Sequence, residues 1–119
     1  MSKHSKIGIK GEQIAVDFLL KKGYIIVACN WRSGHKEVDI LAFKDDILAV
    51  IEVKARTGSR YAYPEEAVTK TKQNHLRLAA EAFAAAHPQY RNIRFDIISI
   101  SFTPRSDTHE IIHFEEAFW

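Results

Sequence analysis

The chain has 119 residues, which is enough for one domain with one hydrophobic core and too few for two. Its hydrophobic content of 46% and charged content of 27% are ordinary for a soluble globular protein. No apolar run approaches the ~20 residues of a membrane span, residues 1–10 lack the apolar segment of a secretory signal, and the lone Cys29 excludes an internal disulfide framework. We therefore expect one domain over residues 1–119, in a cytoplasmic protein with no membrane partner.

The net charge of +2 is too small to indicate a nucleic-acid partner, but the charges are unevenly distributed. Residues 1–10 contain three lysines and no acid, and residues 54–77 contain six cations and two acids. The charged residues after Ser101 are mostly acidic. A basic region beside an acidic one fits a polyanion-binding face, although a scattered, solvated surface explains the charges equally well.

An amphipathic helix is predicted over residues 5–22, where apolar residues recur at helical spacing. Ile7 and Leu19 lie on its apolar side, and Gly23 suits the position just after a helix. Glu12 lies at the edge of the apolar stripe. It could point into a site, although a solvated flank is the commoner role for such a residue.

A strand over residues 24–31 follows, in which we expect Cys29 to be a buried, inert thiol. The chain then enters a hairpin whose arms are residues 36–43 and 48–56, with a turn over residues 44–47. Both arms are rich in β-branched and aliphatic residues, and Asp45-Asp46 marks the bend between them.

A two-residue turn in this hairpin would place Asp39 opposite Glu52, and Glu37 opposite Lys54. Two carboxylates in opposed positions repel each other, and a divalent cation between them would offset that repulsion. The remaining opposed pairs are apolar on both faces, which is typical of strands covered on both sides. On the Asp39 face they are Leu41–Val50 and Phe43–Leu48, and on the other face Val38–Val53, Ile40–Ile51 and Ala42–Ala49.

The remaining elements follow from the same patterns. Pro64 opens a helical region and Thr69 is a candidate cap for the helix after it. The predicted elements are a helix over 70–86, a strand over 92–102, a short strand over 110–114 and a helical turn over 115–119. The order α-β-β-β-α-β-β predicts an α/β fold, with a mixed sheet of about five strands flanked by helices and one parallel pair across the second helix.

The hairpin residues suit metal-dependent chemistry. The carboxylates of Asp39 and Glu52, with the Val53 carbonyl, supply the hard oxygen ligands that Mg²⁺ or Mn²⁺ prefers. Such a metal lowers the pKa of a bound water and stabilises charge on a phosphodiester. Lys54 lies on the same strand face as Glu52 and could orient that water. The alternative is a Glu37–Lys54 salt bridge at a solvated sheet end, with both site acids exposed.

Several motifs resemble the YraN family of predicted bacterial endonucleases, which is similar to archaeal Holliday-junction resolvases of the PD-(D/E)XK, restriction-endonuclease-like superfamily. The resemblance covers residues 8–118, and its most specific block is residues 51–56. The chain departs from the family pattern at Lys36, where glycine is usual, and at Tyr61-Ala62, where Phe-Gly is usual. The motifs are Gly11-Glu12-Gln13-Ile14-Ala15, Glu37-Val38-Asp39-Ile40, Ile51-Glu52-Val53-Lys54-Ala55-Arg56, Pro64-Glu65-Glu66-Ala67-Val68, Lys72-Gln73 and Arg94-Phe95-Asp96.

The resemblance implies a Mg²⁺- or Mn²⁺-dependent endonuclease that hydrolyses DNA, including branched or junction DNA, and that could act as a homodimer. It implies Asp39 and Glu52 as metal ligands, Lys54 as the catalytic lysine and Glu12 as an additional site acid. The basic stretch supplies Arg56, Arg60 and Lys70 as candidate DNA contacts, and the resemblance adds Lys72 and Gln73. The alternative function is a nucleic-acid-binding or scaffold protein with this fold and little or no catalysis.

Two further sets of residues have structural interpretations. His109 and His113 fall in a strand pattern, too far apart for one metal, and are expected to be surface residues. Asp96 is expected to support Arg94, and the alternative is that it faces the site from the fourth strand.

Overall fold

A computed structural model describes residues 5–58 and 68–119. These residues form the predicted α/β fold, with two helices and a mixed sheet of five strands. No helix among them is long and apolar enough to cross a membrane. The elements are α1 (Lys6–Lys21), β1 (Ile25–Ser33), β2 (Lys36–Lys44), β3 (Ile47–Thr57), α2 (Lys70–Ala86), β4 (Ile93–Phe102) and β5 (His109–Phe118).

The strands lie in sequence order across the sheet, β1-β2-β3-β4-β5. Neighbouring strands are antiparallel except β3 and β4, which are parallel and are connected through α2, as predicted. One core cluster lies between the sheet and α1 and includes Leu19, Ile40 and Ile51. The other lies between the sheet and α2 and includes Val50 and Leu76. The central strands are therefore covered on both faces, as their two apolar faces indicated.

Helix α1 lies unusually close to β3. A Cβ added at Gly11 would meet the Cβ of Ala55 at 2.6 Å, so the close approach requires glycine at this position. The Ser5 side chain caps the helix by accepting a hydrogen bond of 3.0 Å from the Gly8 N–H. Ile7, in the first turn, is 40% exposed, whereas Leu19 on the same apolar side is fully buried.

The hairpin has the predicted register up to Ile40 and Ile51, which are opposed. Asp45 and Asp46 have φ values of 53° and 64°, as a two-residue type I′ turn requires. Val38, predicted on the same face as Ile40 and Ala42, belongs instead to the core on the α2 side, whereas Ile40 and Ala42 belong to the core on the α1 side. The alternation of side chains between the two faces of β2 is therefore broken between Val38 and Ile40, at the position of the predicted site residue Asp39.

The C-terminal segment differs from its prediction. The short strand over 110–114 and the helical turn over 115–119 are one strand, His109–Phe118. Its pairing with β4 shifts register between Phe95 and Ile97, and Glu116 adopts a φ of 51°. The Glu116 N–H donates to the Asp96 carboxylate instead of a strand carbonyl. The bulge interrupts the alternation by which a strand is recognised.

Helix α2 occupies the predicted residues, Lys70–Ala86. Thr69 caps it as expected, with its hydroxyl accepting a hydrogen bond of 3.2 Å from the Lys72 N–H. The predictions for Arg60, for the Tyr61-Ala62 departure and for a helical start at Pro64 fall on residues 59–67, outside the described residues.

Candidate metal and nucleic-acid site

Asp39 lies where the strand pairing of β2 is interrupted on both sides. Its side chain is fully buried, and its Oδ2 accepts a 2.8 Å hydrogen bond from the Val53 N–H, beyond the last paired residues of β2 and β3. On the other side, Cys29 pairs with Ile40 and Trp31 with Val38, while Asn30 between them has a φ of 53°. The sheet thus opens at Asp39, and the Val53 N–H fixes the orientation of the carboxylate.

Glu52 is the second fully buried acid, and two lysines approach it. Its Oε2 lies 3.8 Å from the Nζ of Lys54 and 3.8 Å from the Nζ of Lys72. Lys54 comes from the same strand and Lys72 from the first turn of α2, whose start is set by the Thr69 cap. The side chain of Lys54 is 32% exposed and that of Lys72 is 28% exposed. Both lysines therefore lie partly at the protein surface while their ammonium groups approach the buried carboxylate.

The alternative of a solvated sheet end with exposed acids is wrong, because Asp39 and Glu52 are both fully buried. Glu37 is also largely buried, and its carboxylate lies 3.4 Å from the Arg32 side chain of β1. Buried carboxylates need compensating cations or hydrogen bonds. The contacts at this end of the sheet meet that need for Glu52 with lysines and for Asp39 with a backbone N–H.

The other predicted DNA contacts differ in exposure. Arg56 at the end of β3 and Lys70 at the start of α2 are exposed. Gln73 is largely buried, and its Nε2 donates a 3.2 Å hydrogen bond to the Val68 carbonyl. Gln73 therefore supports the start of α2, and Lys72, one residue earlier, is the α2 side chain that reaches Glu52.

Glu12 approaches this end of the sheet from α1. With Cys29 and Asn30 it lines a cavity of about 540 Å³, and Asn30 lies at the level of Asp39 in the sheet. Cys29 is an exposed residue, so its prediction as a buried one is wrong. Partial burial of the thiol, and then the charge of Glu12, raise the pKa of Cys29. Glu12 is thus close enough to act electrostatically on β1 beside the opening at Asp39.

The donors suit Mg²⁺ or Mn²⁺ in one particular mode of binding. Across residues 5–58 and 68–119, no three His, Cys, Asp or Glu side chains form a metal-binding cluster. Mg²⁺ is usually held by one or two carboxylates, with waters and substrate phosphates completing its octahedron. Asp39 and Glu52, with the Val53 carbonyl as a candidate backbone ligand, match that donor set. A cage made of protein ligands alone does not fit this part of the molecule.

A third fully buried acid, Asp96, lies on β4, where it pairs with Ile51 of β3. Its carboxylate accepts two hydrogen bonds from Arg94, at 2.9 and 2.8 Å, and pairs with the His113 Nε2 at 2.8 Å. Burial alone would raise the pKa of Asp96, but the bonds and charges of His113 and Arg94 hold it below its usual value. The support of Arg94 is confirmed, whereas the surface position predicted for His113 is wrong, because its side chain is 4% exposed.

Comparisons with known proteins agree with these motifs. The model of a family described as "Uncharacterised protein family UPF0102" matches residues 11–100, which include the acids and lysines described above. A UPF0102 protein of Bacteroides fragilis is 37% identical over 119 residues, covering 100% of this chain and 97% of its own. A UPF0102 protein of Clostridium perfringens is 39% identical over 120 residues, covering 99% and 98% of the two chains. One of Dictyoglomus thermophilum is 43% identical over 98 residues, covering 82% and 83%. The chain therefore belongs to the UPF0102 family, which is the YraN family.

Proposed function

We propose that this protein is a metal-dependent endonuclease that hydrolyses phosphodiester bonds of DNA. The observation that carries the proposal is the pair of fully buried carboxylates, Asp39 and Glu52, at an opening of the sheet, with two lysines on Glu52. Burying a carboxylate is unfavourable unless cations or hydrogen bonds compensate for the lost hydration. Folding alone does not require this arrangement, whereas phosphodiester hydrolysis uses both the acids and the cations.

Each residue would have a distinct role. Asp39, held by the Val53 N–H, and Glu52 would bind the metal, together with oxygens of the substrate phosphate. The bound metal supplies a water of lowered pKa and stabilises negative charge on the phosphate. Lys54, next to Glu52 and partly exposed, would orient the attacking water and neutralise charge that develops on the phosphate oxygens. Lys72 would hold a non-bridging oxygen from the α2 side.

Exposed cations at the rim would position the DNA. Arg56 and Lys70 extend the positive charge of the two lysines along the end of β3 and the start of α2. These groups recognise phosphates, so binding would not depend on base sequence. Branched or junction DNA is the substrate class favoured by the resemblance to junction resolvases. A homodimer would bring two such sites to the two strands of a junction.

The test is a cleavage assay with a panel of substrates. Linear, flapped and four-way DNA are incubated with the protein and Mg²⁺ or Mn²⁺, beside Glu52→Gln and a matched control, Glu81→Gln. Glu81 is exposed on α2, so its variant removes the same charge away from the site. We expect cutting by wild type and control, and a loss of about 10²-fold or more in Glu52→Gln. The proposal fails if no substrate is cut with either metal, or if Glu52→Gln cuts like the control.

One observation favours a second function, a nucleic-acid-binding or scaffold protein with little catalysis. Lys54 and Lys72 already compensate the charge of Glu52, so the buried acid is tolerated without a metal. Calorimetric titration with Mn²⁺ separates the two functions. The nuclease requires a site that disappears in Asp39→Asn and Glu52→Gln. The second function predicts no such site, together with salt-sensitive DNA binding that survives both substitutions.

A further inference from the structure

A cleft lined by cations lies at the same end of the sheet, on the α1 side. It has a volume of about 280 Å³, and we call it the basic cleft. Its charged residues are Lys6 and Lys10 of α1 and Arg105 of the turn between β4 and β5. Thr57 of β3, Thr103 and Ser106 are the hydroxyl residues of the lining, and the hydroxyls of Thr103 and Ser106 are each hydrogen-bonded to Thr108. The cations come from two distant parts of the sequence, and the fold brings them together.

The charge of the basic cleft is of one sign. No acidic residue lines it, and no ion pair joins its three cations to an acid within the described parts of the chain. Lys10 instead lies over the Phe102 ring, with its Nζ 5.2 Å from the ring centroid. Helix α1 begins here with no acid in its first turn, so the helix dipole adds to the positive potential. Cations and hydroxyls in one concave site are groups that bind a phosphate.

The position of the basic cleft relates it to the candidate site. Thr57 follows Lys54 by three residues on β3, which corresponds to about 10 Å along an extended strand. Because side chains alternate between faces, Lys54 lies on the α2 side and Thr57 on the α1 side. An anion in the basic cleft and one beside Lys54 would therefore lie on opposite sides of the same sheet end, within reach of one polynucleotide strand.

We propose that the basic cleft binds a backbone phosphate of the DNA strand that is cut at the Asp39–Glu52 site, an inference that rests on the proposed function. The strand passes around the ends of β3 and β4 from the α2 side to the α1 side. Arg105 and the two lysines contact phosphate oxygens, and the hydroxyls add hydrogen bonds. None of these groups reads a base edge, so the basic cleft contributes affinity and strand position without sequence preference.

The experiment compares two double variants of the full chain that remove equal charge. Lys6→Gln/Arg105→Gln changes the basic cleft, and Lys21→Gln/Arg91→Gln changes exposed cations near the opposite end of the sheet. DNA affinity is measured by fluorescence anisotropy over a series of NaCl concentrations. Because a lost phosphate contact reduces the slope of log K against log [salt] by about 0.9, we expect the cleft variant to bind about tenfold more weakly near 50 mM salt. The control variant should keep the wild-type slope.

Single-turnover cleavage at subsaturating DNA gives an independent readout. The cleft variant should cut about tenfold more slowly than wild type and the control variant, because weaker binding of the strand lowers the fraction of DNA bound. Lys10→Gln is the second variant, and it should reduce the salt slope in the same direction. If wild type binds and cuts DNA but both cleft variants keep its salt slope, the basic cleft is refuted and the nuclease stands. If wild type binds no DNA, both proposals fail.

Discussion

Gly11→Ala tests the close packing that brings α1 onto the sheet beside the site. In an exposed helix this substitution would stabilise by about 1 kcal/mol, because alanine is the better helix former. Here the new Cβ would lie 2.6 Å from the Cβ of Ala55, and neither atom can rotate away. Overpacking costs about 1–3 kcal/mol, and the short contact places this site at the upper end. We expect a net loss of about 2 kcal/mol in the free energy of unfolding.

Urea unfolding measures this loss, and thermal unfolding should show a fall in Tm of about 8 °C. Gly11→Ala/Ala55→Gly moves the methyl group from one element to the other, so it should lie within about 1 kcal/mol of wild type. Gln13→Ala, an exposed position on the same helix, should change stability by less than about 0.5 kcal/mol. A Gly11→Ala variant as stable as wild type would refute the close approach of α1 to β3.

Three further predictions concern charge and metal. Asp96→Asn should lower the free energy of unfolding at pH 7 by about 3 kcal/mol, because it leaves the largely buried Arg94 guanidinium without the carboxylate that accepts its two hydrogen bonds. Since folding lowers the pKa of Asp96, the ionised carboxylate should contribute fully to stability above about pH 4, and this contribution should be lost as the pH falls toward the folded pKa. In urea unfolding from pH 3 to 7, the free energy of unfolding should therefore depend less on pH in the variant than in wild type. Glu12→Gln should lower the pKa of Cys29 and speed its reaction with a disulfide reagent at pH 8, whereas Glu81→Gln should not. Mn²⁺ at 100 times its Kd should stabilise wild type by about 2.7 kcal/mol in thermal unfolding and leave Glu52→Gln unchanged.

The hairpin shows how far the sequence determines the site. The aspartates of the turn and the two apolar faces were enough to predict the register that the structure has from Ile40 to Lys44. The same reasoning extended the ladder too far, because it took Asp39 and Glu52 to be paired residues. Instead, the Asp39 carboxylate accepts the hydrogen bond of the Val53 N–H, and the paired residues of β2 and β3 end at Ile40 and Ile51. When a side chain accepts a hydrogen bond in place of a backbone carbonyl of the neighbouring strand, the pattern of apolar residues in the sequence does not reveal it.

Contacts between distant segments account for what sequence reasoning missed. The bulge in β5 depends on the Glu116 N–H reaching Asp96, and the burial of His113 depends on that same carboxylate. Arg105, in a stretch that is otherwise acidic, joins the lysines of α1 only through the fold. In contrast, α2 was predicted residue for residue, because Thr69 and the helix-favouring composition are local signals.

The cleavage rate of Asp39→Asn tests the central claim most directly. The asparagine oxygen can still accept the Val53 N–H, so the variant should fold while losing the charge that would bind the metal. Asp107→Asn, at an exposed turn, is the matched control. With DNA and Mn²⁺ under single-turnover conditions, we predict that the control cuts at the wild-type rate and that Asp39→Asn is slower by about 10²-fold or more. Equal rates for the two variants would contradict a nuclease site at Asp39 and Glu52.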